Sequence, residues 1–294
     1  MRLSTVRHQG KEVAAVAAEK GLVLVETINQ AEGKQWPVDM QTLIEQGGVP
    51  DMNQWYKNGG KDKVEQLDAI PYASAEYAPL IRKPAKIFGI GLNYADHAKD
   101  LNEQTPTGFP GSFFKPYTTI IGPGDQVELP LLANVCDGEG ELAIVLGKKG
   151  RNIPEENWLD YVAGFTVSTD MTSLDILKQN TRFLTIAKSF DTFFGLSHQL
   201  ITPDEIEDVM DLKVRTVING EVFAENYVRN MTFPPKFLVT FLSQIMTWLP
   251  GDIISTGTPR GVHIHHGDVI EGQVDGFESL SHKVVDLKVS QGQD

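Results

Sequence analysis

The sequence has little of what usually betrays a protein's class. It carries one cysteine, Cys136, in 294 residues, so no disulfide can form within the chain. Its apolar runs are only a few residues long, far short of the ~20 that a membrane-spanning helix needs. The opening stretch, MRLSTVRHQGKE, has no apolar signal-peptide core. Basic runs are missing as well. Lys and Arg number 26 against 39 Asp and Glu, a net charge of −13. A nucleic-acid-binding protein needs a positive footprint to displace counterions, so nucleic acid is excluded as a partner. Internal repeats and low-complexity tracts are also lacking. These absences predict a soluble, cytoplasmic protein with neither a membrane nor a nucleic-acid partner. The negative field repels acidic ligands mildly, so a site for one must correct the charge locally, with a metal or a few Lys and Arg.

What is present is an ordinary globular composition, with 41% hydrophobic residues. A chain of this length fits one large domain or two modest ones and buries roughly 75% of its unfolded surface. Near the N-terminus, Glu12–Val16 and Gly21–Thr27 read as short strands and Met40–Gln46 as a short helix. Residues Gly48–Lys63, rich in Gly and Asn, read as a loop with one helical turn, and the two prolines of Tyr77–Pro84 mark a linker. A small β-rich N-terminal domain over 1–80 and a second domain over 81–294 follow. The second is dense in strands: Lys86–Ile90, Thr119–Ile121, Leu142–Leu146, Val162–Ser168, Val214–Ile218 and Asp252–Ser255. Turn chemistry such as GPGD at 122–125 and NG at 219–220 separates them. Pro154–Leu159 resembles a helix start, Leu174–Gln179 a short helix, and Pro235–Met246 has helical periodicity. Strands outnumber helices and do not alternate with them as βαβ units require. The fold class expected is mostly β with some α, a mixed roll or barrel rather than a Rossmann or TIM fold.

The sharpest chemical signal is Asp137-Gly138-Glu139-Gly140-Glu141, followed by LAIVLGK. Glu139 and Glu141 lie two apart on a predicted strand, so both carboxylates point to one face, with Ala143 and Val145 behind them and Leu142, Ile144 and Leu146 opposite. Like carboxylates side by side are unfavourable unless a cation neutralises them, and hard oxygen ligands suit Mg²⁺ or Mn²⁺; the alternative is a solvated acidic turn. Asp170 closes the apolar run YVAGFTVSTD and is either a third ligand or a helix cap. In GIGLNYADHAKD (89–100), His97 and Asp100 are adjacent on a helical turn, as a base and its orienting acid can be, or as surface residues can be. The G-x-G at 89–91 lacks the third glycine and the βαβ context of a dinucleotide site. STGTPRGV (255–262) lacks the ending of a phosphate loop, although Gly257 and Gly261 let backbone N–H groups approach an anion. His263, His265 and His266 read as partly exposed packing residues rather than zinc ligands.

In order and spacing, these segments resemble the fumarylacetoacetate hydrolase family. The matching pieces are GIGLNYADHAKD, SFFKP (112–116), IIGPGDQVELP (120–130), DGEGELAIVLGK (137–148), VAGFTVSTDM (162–171), KSFDTF (188–193), NGEV (219–222) and LPGDIISTGTPRGV (249–262). The resemblance implies a mixed β-roll or barrel, a homodimer, and Mg²⁺ or Mn²⁺ held by Glu139, Glu141 and Asp170. It implies His97, Asp100 and Lys188 as catalytic residues, and Thr256, Gly257 and Thr258 as the turn facing a small keto-acid substrate. The chain departs from many members at Asp100 (Glu there), at Ser173-Leu174-Asp175 (Ala-Arg-Asp there) and at Ser197-His198 (Gly-Pro there). The reaction implied is metal-dependent hydrolysis of a C–C bond in a 1,3-diketo or 2-oxo acid of the acylpyruvate type. The alternatives are isomerisation or decarboxylation of a 2-hydroxyhepta-2,4-dienedioate-type intermediate, and a metal-binding ligand-binding or interaction protein of this fold without turnover.

Overall fold

The structure is a computed structural model, and it describes residues 1–95, 106–290 and 292. Strands β1 (Arg2–His8), β2 (Lys11–Ala18) and β3 (Gly21–Leu24) form an antiparallel meander. They are followed by β4 (Ile87–Gly91), β5 (Gly111–Lys115), β6 (Ile120–Ile121) and β7 (Gln126–Leu129). The two longest strands, β8 (Cys136–Leu146) and β9 (Val162–Ser173), come next and pair with each other. Then follow β10 (Phe194–Leu196), β11 (Gln199–Ile201), β12 (Lys213–Ile218) and β13 (Glu221–Tyr227). The last are β14 (Ile253–Ser255), β15 (Val262–Ile264), β16 (Val269–Val274) and β17 (Leu280–Asp286). Among the described residues they form a larger sheet, with the path β3-β2-β1-β11-β9-β8-β14-β4-β5, and a smaller one, β13-β12-β16-β17-β7. Pairing is mostly antiparallel, with parallel pairs at β14/β4, β10/β6 and β17/β7. The fold is therefore the expected mostly β class with some α, in open mixed sheets rather than a closed barrel.

Every residue of β8 and β9 is buried, and the alternation within β8 decides what lies on each side. Ala143 and Val145 pack with Leu3, Val16, Ile28 and Leu43 from the N-terminal segment. Leu142, Ile144 and Leu146 pack with Phe165, Val214, Leu238 and Trp248. The helix Pro235–Ile245 supplies Leu238, Val239 and Leu242 to that second core, as its periodicity predicts. The glycines of the acidic motif have a packing cause. A Cβ on Gly140 would lie 2.3 Å from the carbonyl oxygen of Arg215 and 3.1 Å from the Gly272 Cα. The smaller sheet therefore rests directly on β8 there, and the Gly140 N–H donates to Thr216 Oγ1 at 2.8 Å.

Three local expectations change. The strand Gly21–Thr27 ends at Leu24, because Val25 and Ile28 bury as one helical face in Val25–Glu32, which stops on Gly33 in the left-handed region at φ 63°. The loop Gly48–Lys63 contains two helices, Gly48–Trp55 and Lys61–Val64. Val49, Met52, Tyr56, Gly60 and Val64 recur every three or four residues and are buried, a period masked by the surrounding Gly and Asn. Strand β1, not read from the sequence, leads the chain and pairs with β11. No helix among the described residues is long and apolar enough to cross a membrane.

Candidate active site

Glu139 on β8 and Asp170 on β9 are cross-strand partners, and Glu141 pairs with Ser168 two positions along. The strand alternation therefore places three carboxylates on one face of the sheet, with oxygens of Glu139, Glu141 and Asp170 all within 4.8 Å of one another. Asp170 is neither the end of its strand nor a helix cap: β9 continues to Ser173, which occupies the cap position of the helix Leu174–Gln179.

Two ammonium groups reach into this cluster. Lys188, at the end of the helix Leu184–Lys188, donates to Glu139 Oε2 at 3.0 Å and to Asp170 Oδ2 at 2.5 Å. Lys115 on β5 donates to Asp170 Oδ1 and, at 3.2 Å, to the Met171 carbonyl. The sequence reading passed over Lys115, although alternation in GSFFK directs Phe113 and Lys115 inward together. Glu141 accepts from Ser255 Oγ at 2.5 Å and from the Gly257 N–H at 2.9 Å. Glu139 Oε1 accepts from Thr172 Oγ1 at 3.3 Å.

These contacts leave the charge incompletely matched. Burial is the main cause raising Glu139 to about 7, with Lys188 opposing it and Asp170 adding to it. Burial, with Asp170 and Glu139 beside it, raises Glu141 to about 8. Burial lowers Lys115 to about 8 against the pull of Asp170. For Lys188, burial is outweighed by Asp170 and Glu139, so its pKa rises. With all three carboxylates ionised, as ligation requires, two ammonium groups leave one negative charge, and a divalent cation turns that into one positive charge. The donors are hard carboxylate oxygens converging from two rigid strands, which is the chemistry that Mg²⁺ or Mn²⁺ requires.

The cluster opens into a cavity of about 460 Å³ whose walls include Ile90, Phe113, Asp137, Glu139, Thr172, Leu174, Leu177, Lys178, Lys188 and Thr258. Leu174, one of the departures from the family pattern, thus lies on the wall. Of the turn expected to face the substrate, Thr258 lines the wall. Thr256 is fully buried and its hydroxyl donates to the Leu142 carbonyl at 2.7 Å, while the Gly257 N–H is taken by Glu141. Asn93 braces that turn, donating to the Thr256 carbonyl at 2.7 Å and to the Phe233 carbonyl at 3.0 Å. His97 and Asp100 lie outside the described residues.

The remaining motifs have structural partners. A Cβ on Gly89 would fall 2.2 Å from the Phe113 ring, so this glycine makes room for the cavity wall. His198 stacks on Tyr77 with centroids 3.8 Å apart and meets Glu278 at 3.2 Å, tying the sheet to the N-terminal segment. His263, His265 and His266 engage Asp137, Asp268 and the Asp286 N–H respectively, so they do not converge on one point.

The chain thus joins an open mixed-sheet fold to an acidic cluster where its two longest strands pair. The family described as fumarylacetoacetate (FAA) hydrolase C-terminal matches residues 86–285. The chain belongs to the fumarylacetoacetate hydrolase family. It is 36% identical to a Rattus norvegicus oxaloacetate tautomerase over 228 residues, 75% of this chain and 72% of the relative. Among solved structures it resembles maleylpyruvate hydrolase from Sphingobium sp. SYK-6 in complex with manganese (II) and pyruvate. There the TM-score is 0.78 at 26% identity, with 97% of this chain and 99% of the other covered. It also resembles 2-hydroxyhepta-2,4-diene-1,7-dioate isomerase from Mycobacterium marinum, with a TM-score of 0.72 at 26% identity, covering 98% and 99%. The family thus includes hydrolases, isomerases and tautomerases.

Proposed function

We infer that the protein is a divalent-metal-dependent enzyme acting on a small 2-oxo acid through its enolate. The observation that carries this reading is the buried set Glu139, Glu141 and Asp170, left with unmatched negative charge by Lys115 and Lys188. Those three carboxylates would hold Mg²⁺ or Mn²⁺, and the bound ion supplies Lewis-acid stabilisation of enolate charge. The chain's own residues do the rest. Lys188, on the cavity wall, offers an N–H toward developing oxyanion charge, and Thr258 lines the same wall with its hydroxyl donating to the Arg260 carbonyl at 3.1 Å. His97, oriented by Asp100, moves the proton at the carbon next to the carbonyl. The turn Thr256–Thr258 acts mainly by holding Glu141 in place, through the N–H of Gly257.

Two overall reactions share this enolate. Hydrolysis of a C–C bond in an acylpyruvate-type acid is the expectation from the motif, supported by likeness to a maleylpyruvate hydrolase. Isomerisation, as keto–enol exchange of a short 2-oxo diacid, is supported by the 36% identical tautomerase. Enol absorbance and product analysis with Mg²⁺ separate them: hydrolysis yields pyruvate and a free acid, whereas tautomerisation changes the enol signal and yields no fragments. Silence with both substrate kinds, in protein that binds Mg²⁺, would favour a binding module without turnover. We also propose residues 1–80 as an N-terminal unit joined to the larger sheet through β1 and β11, a homodimeric assembly and a cytoplasmic location. The start of the family match at residue 86 supports that boundary.

A further inference from the structure

Beside the acidic cluster stands a fourth carboxylate, which the reading above leaves unused. Asp137 is on β8, two residues before Glu139 and on the same strand face, and it lines the cavity. At ~3.3 Å per residue it sits roughly 7 Å along the strand from Glu139. One of its oxygens, Oδ1, holds Nδ1 of His263, its cross-strand partner on β15. The other faces Glu139 across Gly261: a Cβ there would lie 3.0 Å from Asp137 Oδ2 and 3.3 Å from Glu139 Oε1. The His263 side chain is 55% exposed, while that of Asp137 is 6% exposed. Its Nε2 has no hydrogen-bond partner among the described residues.

We propose that His263, oriented by Asp137, is a specificity-determining residue that receives the oxygen on C4 of the substrate. This rests on the 2-oxo-acid reading, and it adds which part of the molecule beyond the chelating head is recognised. The head, C1 carboxylate and C2 oxygen, belongs at the three deep carboxylates. The chain of a 1,3-dicarbonyl or a 2-oxo diacid then runs along β8 toward its N-terminal end, where Asp137 and His263 stand. When the ring carries both protons, Nδ1–H is fixed on Asp137 and Nε2–H is a charge-assisted donor to a carboxylate or enolate oxygen. In that form it also opposes the repulsion that a chain of net charge −13 exerts on a dianionic substrate. The inference serves either overall reaction, because acylpyruvates and the four-carbon 2-oxo diacid alike carry oxygen on C4.

The test is calorimetry on the full-length, Mg²⁺-loaded protein with three non-reacting probes: oxalate for the head alone, lactate for a head with a methyl tail, and malate for the same head with a C4 carboxylate. Wild type should bind malate about 10- to 100-fold more tightly than lactate, the usual worth of a hydrogen bond to a charged group. His263→Ala should bring the two close together and leave oxalate binding unchanged. His263→Gln, which keeps an N–H donor, should retain part of the preference. An unchanged malate-to-lactate ratio in His263→Ala overturns the proposal. Parallel loss of oxalate binding and thermal stability in that variant overturns it too, by showing a structural role. Failure of the wild type to bind oxalate removes the 2-oxo-acid reading itself, and this inference with it.

Discussion

Glu139 and Asp170 face each other directly across the two longest strands, and Lys188 bridges them from a separate helix. That pairing fixes two of three candidate ligands to two fully buried strands, neither of which can shift register without moving core side chains to the wrong face. The cluster is therefore set by sheet geometry rather than by a loop.

Gly140 tests this directly. Gly140→Ala would press a methyl against the Arg215 carbonyl at 2.3 Å and separate the two sheets. A loss of ~2–3 kcal/mol in stability is expected, the upper range of ordinary overpacking, together with weaker Mg²⁺ binding because Glu139 and Glu141 flank it. Urea melts and metal titrations measure both. A variant with unchanged midpoint and metal affinity would show that the sheets give way easily.

The pH dependence of metal-free stability has a definite sign. Glu139 and Glu141 hold their protons up to about 7 and about 8, against 4.5 in the unfolded chain. Between those values the unfolded chain binds fewer protons, so stability falls as pH rises. Ligation needs the deprotonated carboxylates, so the Tm increase caused by Mg²⁺ should be larger at pH 8 than at pH 5.5. Equal metal-induced increases at both pH values would contradict the assignment of these two residues.

Lys188→Met leaves Glu139 without an ammonium partner and Asp170 with Lys115 alone. In the metal-free protein this should lower stability by ~3–5 kcal/mol, as when one partner of a buried ion pair is removed. Mg²⁺ should raise the Tm of this variant more than that of wild type, while kcat falls by about 10²–10³, the scale for losing an oxyanion donor. A stable variant with near-normal kcat would take Lys188 out of the chemistry.

If His97 is the general base, His97→Ala should lower kcat by roughly 10²–10⁴ without changing metal affinity. Asp100→Asn should lose less, and Asp100→Glu least. The kcat–pH profiles of these variants, measured beside their thermal melts, give the answer. A stable His97→Ala protein with the wild-type rate and profile would remove His97 from the mechanism.

Much of this was legible in the sequence for simple reasons. Alternation along Glu139–Leu146 assigns both faces of β8, and both faces pack as that period requires. Two carboxylates two apart on a strand share one face, although spacing alone fits a solvated acidic turn as well until Asp170 is placed opposite Glu139. Lys115 did not, because a lysine in a short strand looks like a solvated charge until β9 is placed opposite it. Asp137 and His263 are 126 positions apart, and only the β8/β15 pairing joins them. The committed hydrogen bonds of Thr256 and Gly257 were equally hidden, since a motif shows which residues recur at a turn but not which way each group points.

The central claim, enolate chemistry dependent on a cation at Glu139, Glu141 and Asp170, is tested most directly by one NMR measurement. The exchange of C3 hydrogens of a 2-oxo acid for solvent deuterium is followed with and without Mg²⁺, in wild type and Glu141→Gln, alongside calorimetric metal affinities. The account predicts Mg²⁺-dependent exchange in wild type. It predicts loss of both high-affinity metal binding and exchange in Glu141→Gln. Exchange that proceeds equally without metal, or a Glu141→Gln protein with unchanged Mg²⁺ affinity and exchange rate, would contradict it.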